Sequence, residues 1–181
     1  MFTCKIDEKV SLKLVDLRDR DAIFQLTDSS REYLREWLPW VDFTTKPEDT
    51  EQFIKSSIKS FAENKSLTAV ILYEGKAVGI AGFNKLDWQN KTAKIGYWLG
   101  EGYQGKGIMT KTVKTLTSYA LKDLKMNKVE IWAGVENKKS RSIPEGLGFV
   151  KEGVIRQAEW LNDRYTDHAV YGMLAEEWKE D

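Results

Sequence analysis

Between residues 93 and 110 the chain reads Ala-Lys-Ile-Gly-Tyr-Trp-Leu-Gly-Glu-Gly-Tyr-Gln-Gly-Lys-Gly-Ile-Met-Thr. The alternation of Ala93, Ile95, Tyr97 and Leu99 predicts a strand. Gly100, Gly102, Gly105 and Gly107 follow, and glycine permits the tight turns and close ligand approach that side chains would block. The stripe Ile108, Met109, Val113, Leu116, Ala120, Leu121 and Leu124 then predicts an amphipathic helix. A strand that enters a helix through glycine offers unpaired N–H groups and a positive dipole end, so the first expectation is a phosphate-bearing ligand. Residues 128–135 alternate again, with Val129, Ile131, Ala133 and Val135 on one face. The resulting strand–helix–strand crossover should be parallel and right-handed.

The flanking segments predict a different kind of pairing. Val10, Leu12, Leu14 and Val15 suggest a first strand, and Ala22, Ile23 and Leu26 an apolar helical stripe, which Tyr33, Leu34, Trp37 and Leu38 continue as far as Pro39. Phe53, Ile54, Ile58 and Phe61 recur at helical spacing over residues 48–63. Residues 67–73 and 76–83 are rich in strand formers and are joined at Glu74-Gly75, a hairpin signal. A short helix over 140–147 ends at Gly148, and long strands over 150–161 and 165–174 meet at Asn162-Asp163. Antiparallel hairpins around one parallel crossover predict an α/β (α+β) domain: a mixed, largely antiparallel sheet of about seven strands flanked by helices.

Composition narrows the class. A chain of 181 residues suits one domain with a core over roughly residues 10–175. No apolar run approaches the roughly 18 residues of a membrane span, and charges run through the first 20 residues, so a cytoplasmic protein without a membrane partner is expected. Cys4 is the single cysteine and His168 the single histidine, which argues against disulfides and an all-protein metal site. The 28 basic and 28 acidic residues balance, so nothing global points to nucleic acid. Lys106, Lys111, Lys138, Lys139 and Arg141 near the loop read either as a polyanion surround or as a solvated surface.

Three loop types compete for the glycines. Gly100-x-Gly102-x-x-Gly105 matches a dinucleotide fingerprint, but the acidic residue expected about 20 positions later is displaced to Glu136, and the crossover lies between antiparallel hairpins. Gly100-x-x-x-x-Gly105-Lys106 matches most of a P-loop, yet Gly107 stands where Ser or Thr would hold magnesium. The third type accounts for more of the chain. Tyr103-Gln104-Gly105-Lys106-Gly107-Ile108-Met109 resembles the Gln/Arg-x-x-Gly-x-Gly/Ala signature of the GNAT N-acetyltransferase superfamily. Asn137-Lys138-Lys139-Ser140 with Glu145-Gly146-Leu147-Gly148-Phe149 resembles its Asn-x-x-Ser segment leading to Gly-Phe. Ile95-Gly96-Tyr97-Trp98-Leu99 and Glu159-Trp160-Leu161-Asn162 with Asp167 are similar to the branch that acetylates ribosomal-protein N-termini. Two departures stand out: Met109 replaces Gly or Ala, and Pro144 and Gly146 interrupt the short helix.

The resemblance implies acetyl transfer from acetyl-coenzyme A to a primary amine, the N-terminal α-amine of a ribosomal protein in the first instance. It implies a pyrophosphate cradle from Gln104, Gly105, Lys106, Gly107, Ile108 and Met109, with Trp98, Leu99 and Asn137 along the pantetheine arm. Ser140 reads as acid to the leaving thiolate or as a helix N-cap. Glu159, raised in pKa by partial burial or else paired with Arg156 or Arg164, is the candidate base, with Asp167 in reserve. Trp37, Trp40, Asp42 and Asp167 would line the acceptor pocket. A small amine such as a polyamine or antibiotic is the alternative acceptor, and a non-catalytic acyl-coenzyme A binding module the alternative role; homo-oligomerisation stays open.

Overall fold

The computed structural model describes residues 3–179. Its centre is an eight-stranded sheet built from β1 (Thr3–Lys5), β2 (Val10–Leu14), β3 (Leu67–Tyr73), β4 (Lys76–Asp87), β5 (Thr92–Leu99), β6 (Lys128–Gly134), β7 (Val150–Leu161) and β8 (Arg164–Leu174). The strand order is β1-β2-β3-β4-β5-β6-β8-β7, one strand more than the sequence predicts. The addition is β1, three exposed residues that no alternation could signal, held because Cys4 registers with Leu12 across the edge. Every neighbouring pair is antiparallel except β5 with β6, which are joined by the crossover helix α4.

Helices cover both faces. On one side lie α1 (Arg20–Ser29), α2 (Arg31–Leu34) and α3 (Pro47–Ala62); crossover α4 (Ile108–Ser118) and α5 (Lys138–Gly146) lie on the other. Ala93 and Ile95 of β5 join Val129 and Ile131 of β6 against Val113, Leu116 and Ala120 in the larger core. Val70 and Ile80 meet Ile23 and Ile54 in a second core beneath α1 and α3. The period-2 pattern therefore sends alternate residues into different cores, because both faces are roofed.

Three segments depart from the expected elements. The helical stripe to Pro39 is helical only over Arg31–Leu34; a residue before proline disfavours the helical region, and Arg31 instead ties the following turn by donating to the carbonyls of Val41 and Thr44 at 2.6 and 2.7 Å. The crossover helix widens into a π turn at Tyr119–Asp123, closed by Leu124 N–H to the Tyr119 carbonyl at 3.0 Å. β7 carries a bulge: between the pairs Ile155↔His168 and Glu159↔Thr166, it advances four residues while β8 advances two.

Candidate active site

The ladder between β5 and β6 runs from Thr92↔Lys128 to Ile95↔Ile131 and stops, although β5 continues to Leu99 and β6 to Gly134. Beyond Ile95 the two strands part, which leaves the β5 edge at Tyr97, Trp98 and Leu99 unpaired on that side. Unpaired strand edges recruit extended amides. A cleft of about 620 Å³ occupies the opening, floored by β5 and walled by the loop before α4 and by α5. Trp98, Leu99, Gln104, Gly105, Gly107, Ile108, Met109, Asn137 and Ser140 all line it. Of the expected cofactor residues only Lys106 does not; its ammonium lies 5.4 and 5.5 Å from the rings of Tyr73 and Tyr103.

The loop is shaped for an anion. Gly102, Gly105 and Gly107 have φ of +87°, +74° and +70°, and Gly107 is the N-cap of α4, with no side chain to cover the helix end. Among the described residues no acceptor is paired with the N–H groups from Gly105 to Thr110. A row of orphan donors at a helix N-terminus fits a pyrophosphate. The Gln104 side chain turns away from that role and builds the loop: its amide donates to the Gly100 carbonyl at 2.9 Å and its oxygen accepts Gly102 N–H at 3.0 Å. Met109 is 6% exposed and joins the larger core, so a bulky residue there leaves the cradle clear.

Asn137, not Ser140, caps α5: its side-chain oxygen accepts Ser140 N–H at 3.0 Å. Ser140 thus sits one turn inside the helix with its hydroxyl free of capping duty and 3.5 Å from the Tyr97 hydroxyl. Pro144 lies within α5 and has no N–H to give the carbonyl four residues back, which is that of Ser140. Tyr97 reaches across the opening and donates to that carbonyl at 2.9 Å. Burial raises the Tyr97 pKa above the usual tyrosine range, so the phenol stays protonated as a donor. Arg141 anchors the same helix, donating to the Val135 carbonyl at 2.7 Å and the Tyr171 hydroxyl at 2.8 Å. Sequence reasoning placed Tyr97 on the strand but had no signal that proline would summon its hydroxyl.

Glu159 lies beyond the cleft, in a smaller cavity of about 260 Å³ that shares Trp37 and Asn137 with it. Its carboxylate partner is His168 at 3.3 Å, not Arg156 or Arg164. Asp167 borders the same cavity but serves the backbone, because its carboxylate accepts Gln157 N–H at 2.7 Å, where Gln157 has φ of +50° at the bulge. The reserve base is thus occupied in holding the bulge that places Glu159.

On the far side, Trp40 and Trp98 pack with ring centroids 5.7 Å apart beside a cavity of about 380 Å³ that shares Leu38, Tyr97 and Trp98 with the cleft. Asp42 is not there. It pairs with Arg35 at 3.1 Å in a separate surface cleft beside Trp160 and Asn162, so of the expected acceptor residues Trp37, Trp40 and Asp167 approach the opening and Asp42 does not.

Known proteins share this fold. The acetyltransferase (GNAT) domain family matches residues 9–150. The "Putative ribosomal N-acetyltransferase YdaF" of Bacillus subtilis is 33% identical over 99% of this chain and 98% of its own length. The ribosomal-protein-serine acetyltransferase of Escherichia coli is 30% identical over 95% and 96%. Among solved structures, RimL, a ribosomal L7/L12 alpha-N-protein acetyltransferase in complex with coenzyme A, superposes with a TM-score of 0.92 at 26% identity, covering 96% of this chain and 98% of RimL. Microcin C7 self immunity acetyltransferase MccE, in complex with acetyl-CoA and AMP, gives 0.89 at 31% identity over 94% of both chains. With the splayed strands, the open donor row and these matches together, the chain belongs to the GNAT acetyltransferase family and is an acetyl-coenzyme A-dependent N-acetyltransferase.

Proposed function

We propose that the enzyme acetylates the N-terminal α-amine of a ribosomal protein in the cytoplasm. The observation that carries this reading is the position of the Glu159 carboxylate in a cavity that meets the cofactor cleft at Trp37 and Asn137, where Asp167, the other strand carboxylate there, is engaged by Gln157 N–H. Relatives named for ribosomal-protein acetylation support the acceptor class. Acetyl-coenzyme A supplies an activated thioester when bound. The N–H groups from Gly105 to Thr110 would hold its pyrophosphate, and the free edge at Trp98 and Leu99 would pair with its amides. Glu159 takes a proton from the attacking amine, directly or through a water, and the Ser140 hydroxyl donates one to the departing thiolate. Asn137 orients Ser140 through the N-cap bond and lines the cleft with the rest of its amide.

An α-amine asks little of such a base. Its pKa of about 7.7–8.0 leaves on the order of a tenth neutral at pH 7, whereas a lysine near 10.4 is almost wholly charged. Glu159→Gln keeps the shape and removes the basicity, so release of free thiol with N-terminal peptide acceptors should fall by about 10²-fold or more while coenzyme A affinity stays near wild type. Undiminished turnover in that variant sinks the base assignment; absence of turnover with every N-terminal peptide, alongside turnover of lysine side chains, sinks the acceptor class.

A further inference from the structure

The bulge in β7 leaves Glu159 with a fixed backbone and a side chain that has one anchor. Glu159 is the residue at which β7 returns to register, opposite Thr166, whose hydroxyl donates to the Glu159 carbonyl at 3.2 Å. His168 lies two residues further along β8 and so shares that face of the sheet with Thr166. Its Nε2 stands 3.3 Å from Glu159 Oε2, and among the described residues this ring is the carboxylate's one hydrogen-bond partner. The two side chains are 17% and 30% exposed, so the contact is partly shielded from water. Glu159 lines the cavity beside the cofactor cleft and His168 does not; the imidazole backs the carboxylate without lining the cavity itself. Gly134 is its cross-strand neighbour on β6 and brings no side chain to compete for the ring. Lys94 of β5 feels the Glu159 charge, but its ammonium rests 3.4 Å from the centroid of the Trp132 ring.

We infer that His168, the chain's single histidine, is a positioning residue for acetyl transfer: its Nε2–H holds one oxygen of the Glu159 carboxylate and leaves the other to meet the amine. The inference rests on the proposed role of Glu159 as base and deepens it. An ionised carboxylate accepts and never donates, so the bond requires the ring proton on Nε2. A glutamate is long and rotates freely, and a base works only within hydrogen-bond reach of the proton it removes. Thr166 fixes the Glu159 backbone but leaves the carboxylate end to swing; His168 removes that freedom and keeps the oxygen in attacking geometry. A guanidinium in the same place would orient the carboxylate too, but its permanent charge would draw the basicity down, which an imidazole in its neutral form does far less. Asp167 and His168 thus divide the task, one holding the bulge at Gln157 N–H and the other aiming the side chain that follows it.

The test uses the intact enzyme, acetyl-coenzyme A, an N-terminal peptide acceptor and thiol release. His168→Ala should lower kcat by about tenfold while the acceptor KM and coenzyme A affinity stay within about twofold, because alignment is lost and binding is not. His168→Gln keeps a neutral N–H donor and should stay within about threefold of wild type in kcat. Thermal midpoints verify that both variants fold. In the Glu159→Gln background, His168→Ala should change the residual kcat by less than about twofold, since a residue that acts through Glu159 has nothing left to aim. A purely structural histidine would instead cost about the same in both backgrounds. Unchanged kcat in His168→Ala, a loss in His168→Gln equal to that in His168→Ala, or a full tenfold loss on top of Glu159→Gln each overturns the positioning role. Wild-type turnover in His168→Ala beside an inactive Glu159→Gln removes that role alone; wild-type turnover in Glu159→Gln removes the base, and the positioning with it.

Discussion

Replacing Tyr97 with phenylalanine removes the hydroxyl that serves the Ser140 carbonyl at 2.9 Å and leaves that carbonyl without a donor, since Pro144 cannot supply one. A buried group orphaned in this way costs about 1–3 kcal/mol. For a chain of 181 residues that is a fall in thermal midpoint of roughly 2–12 °C. The cause can be isolated because the missing helical donor can be restored. Pro144→Ala returns an N–H aimed at the Ser140 carbonyl, so Tyr97→Phe should cost less than half as much in that background. A double-mutant cycle by urea unfolding measures the difference, expected at about 1 kcal/mol. Activity should follow stability only in part: the first turn of α5 carries Ser140 into the cleft, so the single variant loses kcat and the double variant regains it. Equal cost of Tyr97→Phe in both backgrounds, with coupling under about 0.3 kcal/mol, would refute the view that the phenol substitutes for a proline's absent N–H.

Gly107→Ala places a Cβ at φ of +70° with no protein atom within 4 Å, so the free protein should lose only about 1–2 kcal/mol of conformational origin. Coenzyme A affinity should fall at least tenfold by calorimetry, and retention of wild-type affinity would remove the loop from the cofactor. Asp167→Ala frees Gln157 N–H and lets the bulge relax, so kcat should drop by about tenfold, whereas Asp167→Asn, which keeps the accepting oxygen, should retain most activity; similar loss in both would make Asp167 the base. Lys111, with the N–H groups of Lys9 and Val10, holds the Asp7 carboxyl at about 2, below its ordinary 3.8. The folded value is the lower one, so this contribution is present above pH 3.8 and lost as pH falls towards 2. Urea midpoints of Asp7→Asn should flatten across that window, and an unchanged acid limb would show that the Asp7 cluster does not couple β2 to α4.

Much of the scaffold was legible locally. The strands Leu67–Tyr73 and Thr92–Leu99 are readable to the residue because period-2 patterning is interrupted by Glu74-Gly75 and Gly100. The orphan donors of the phosphate loop are likewise readable, since glycine spacing and a following apolar stripe are properties of adjacent residues. β1 is not, because three exposed residues carry no face; they form a strand only where β2 offers an edge. The π turn at Tyr119–Asp123 has no local signature either.

The candidate site divides along the same line. Residue types and spacing determined that this chain builds a strand–glycine loop–helix cradle, that a short helix follows near Ser140, and that Glu159 is on a late strand. Tertiary structure alone decided that β5 and β6 part after Ile95, that Tyr97 reaches a carbonyl 43 residues away, that Asp167 serves the bulge and that Asp42 turns to Arg35 in another cleft. The physical reason is range. Backbone conformation and amphipathicity depend on neighbours a few residues off, whereas a hydrogen bond between distant side chains exists only after packing has fixed both ends.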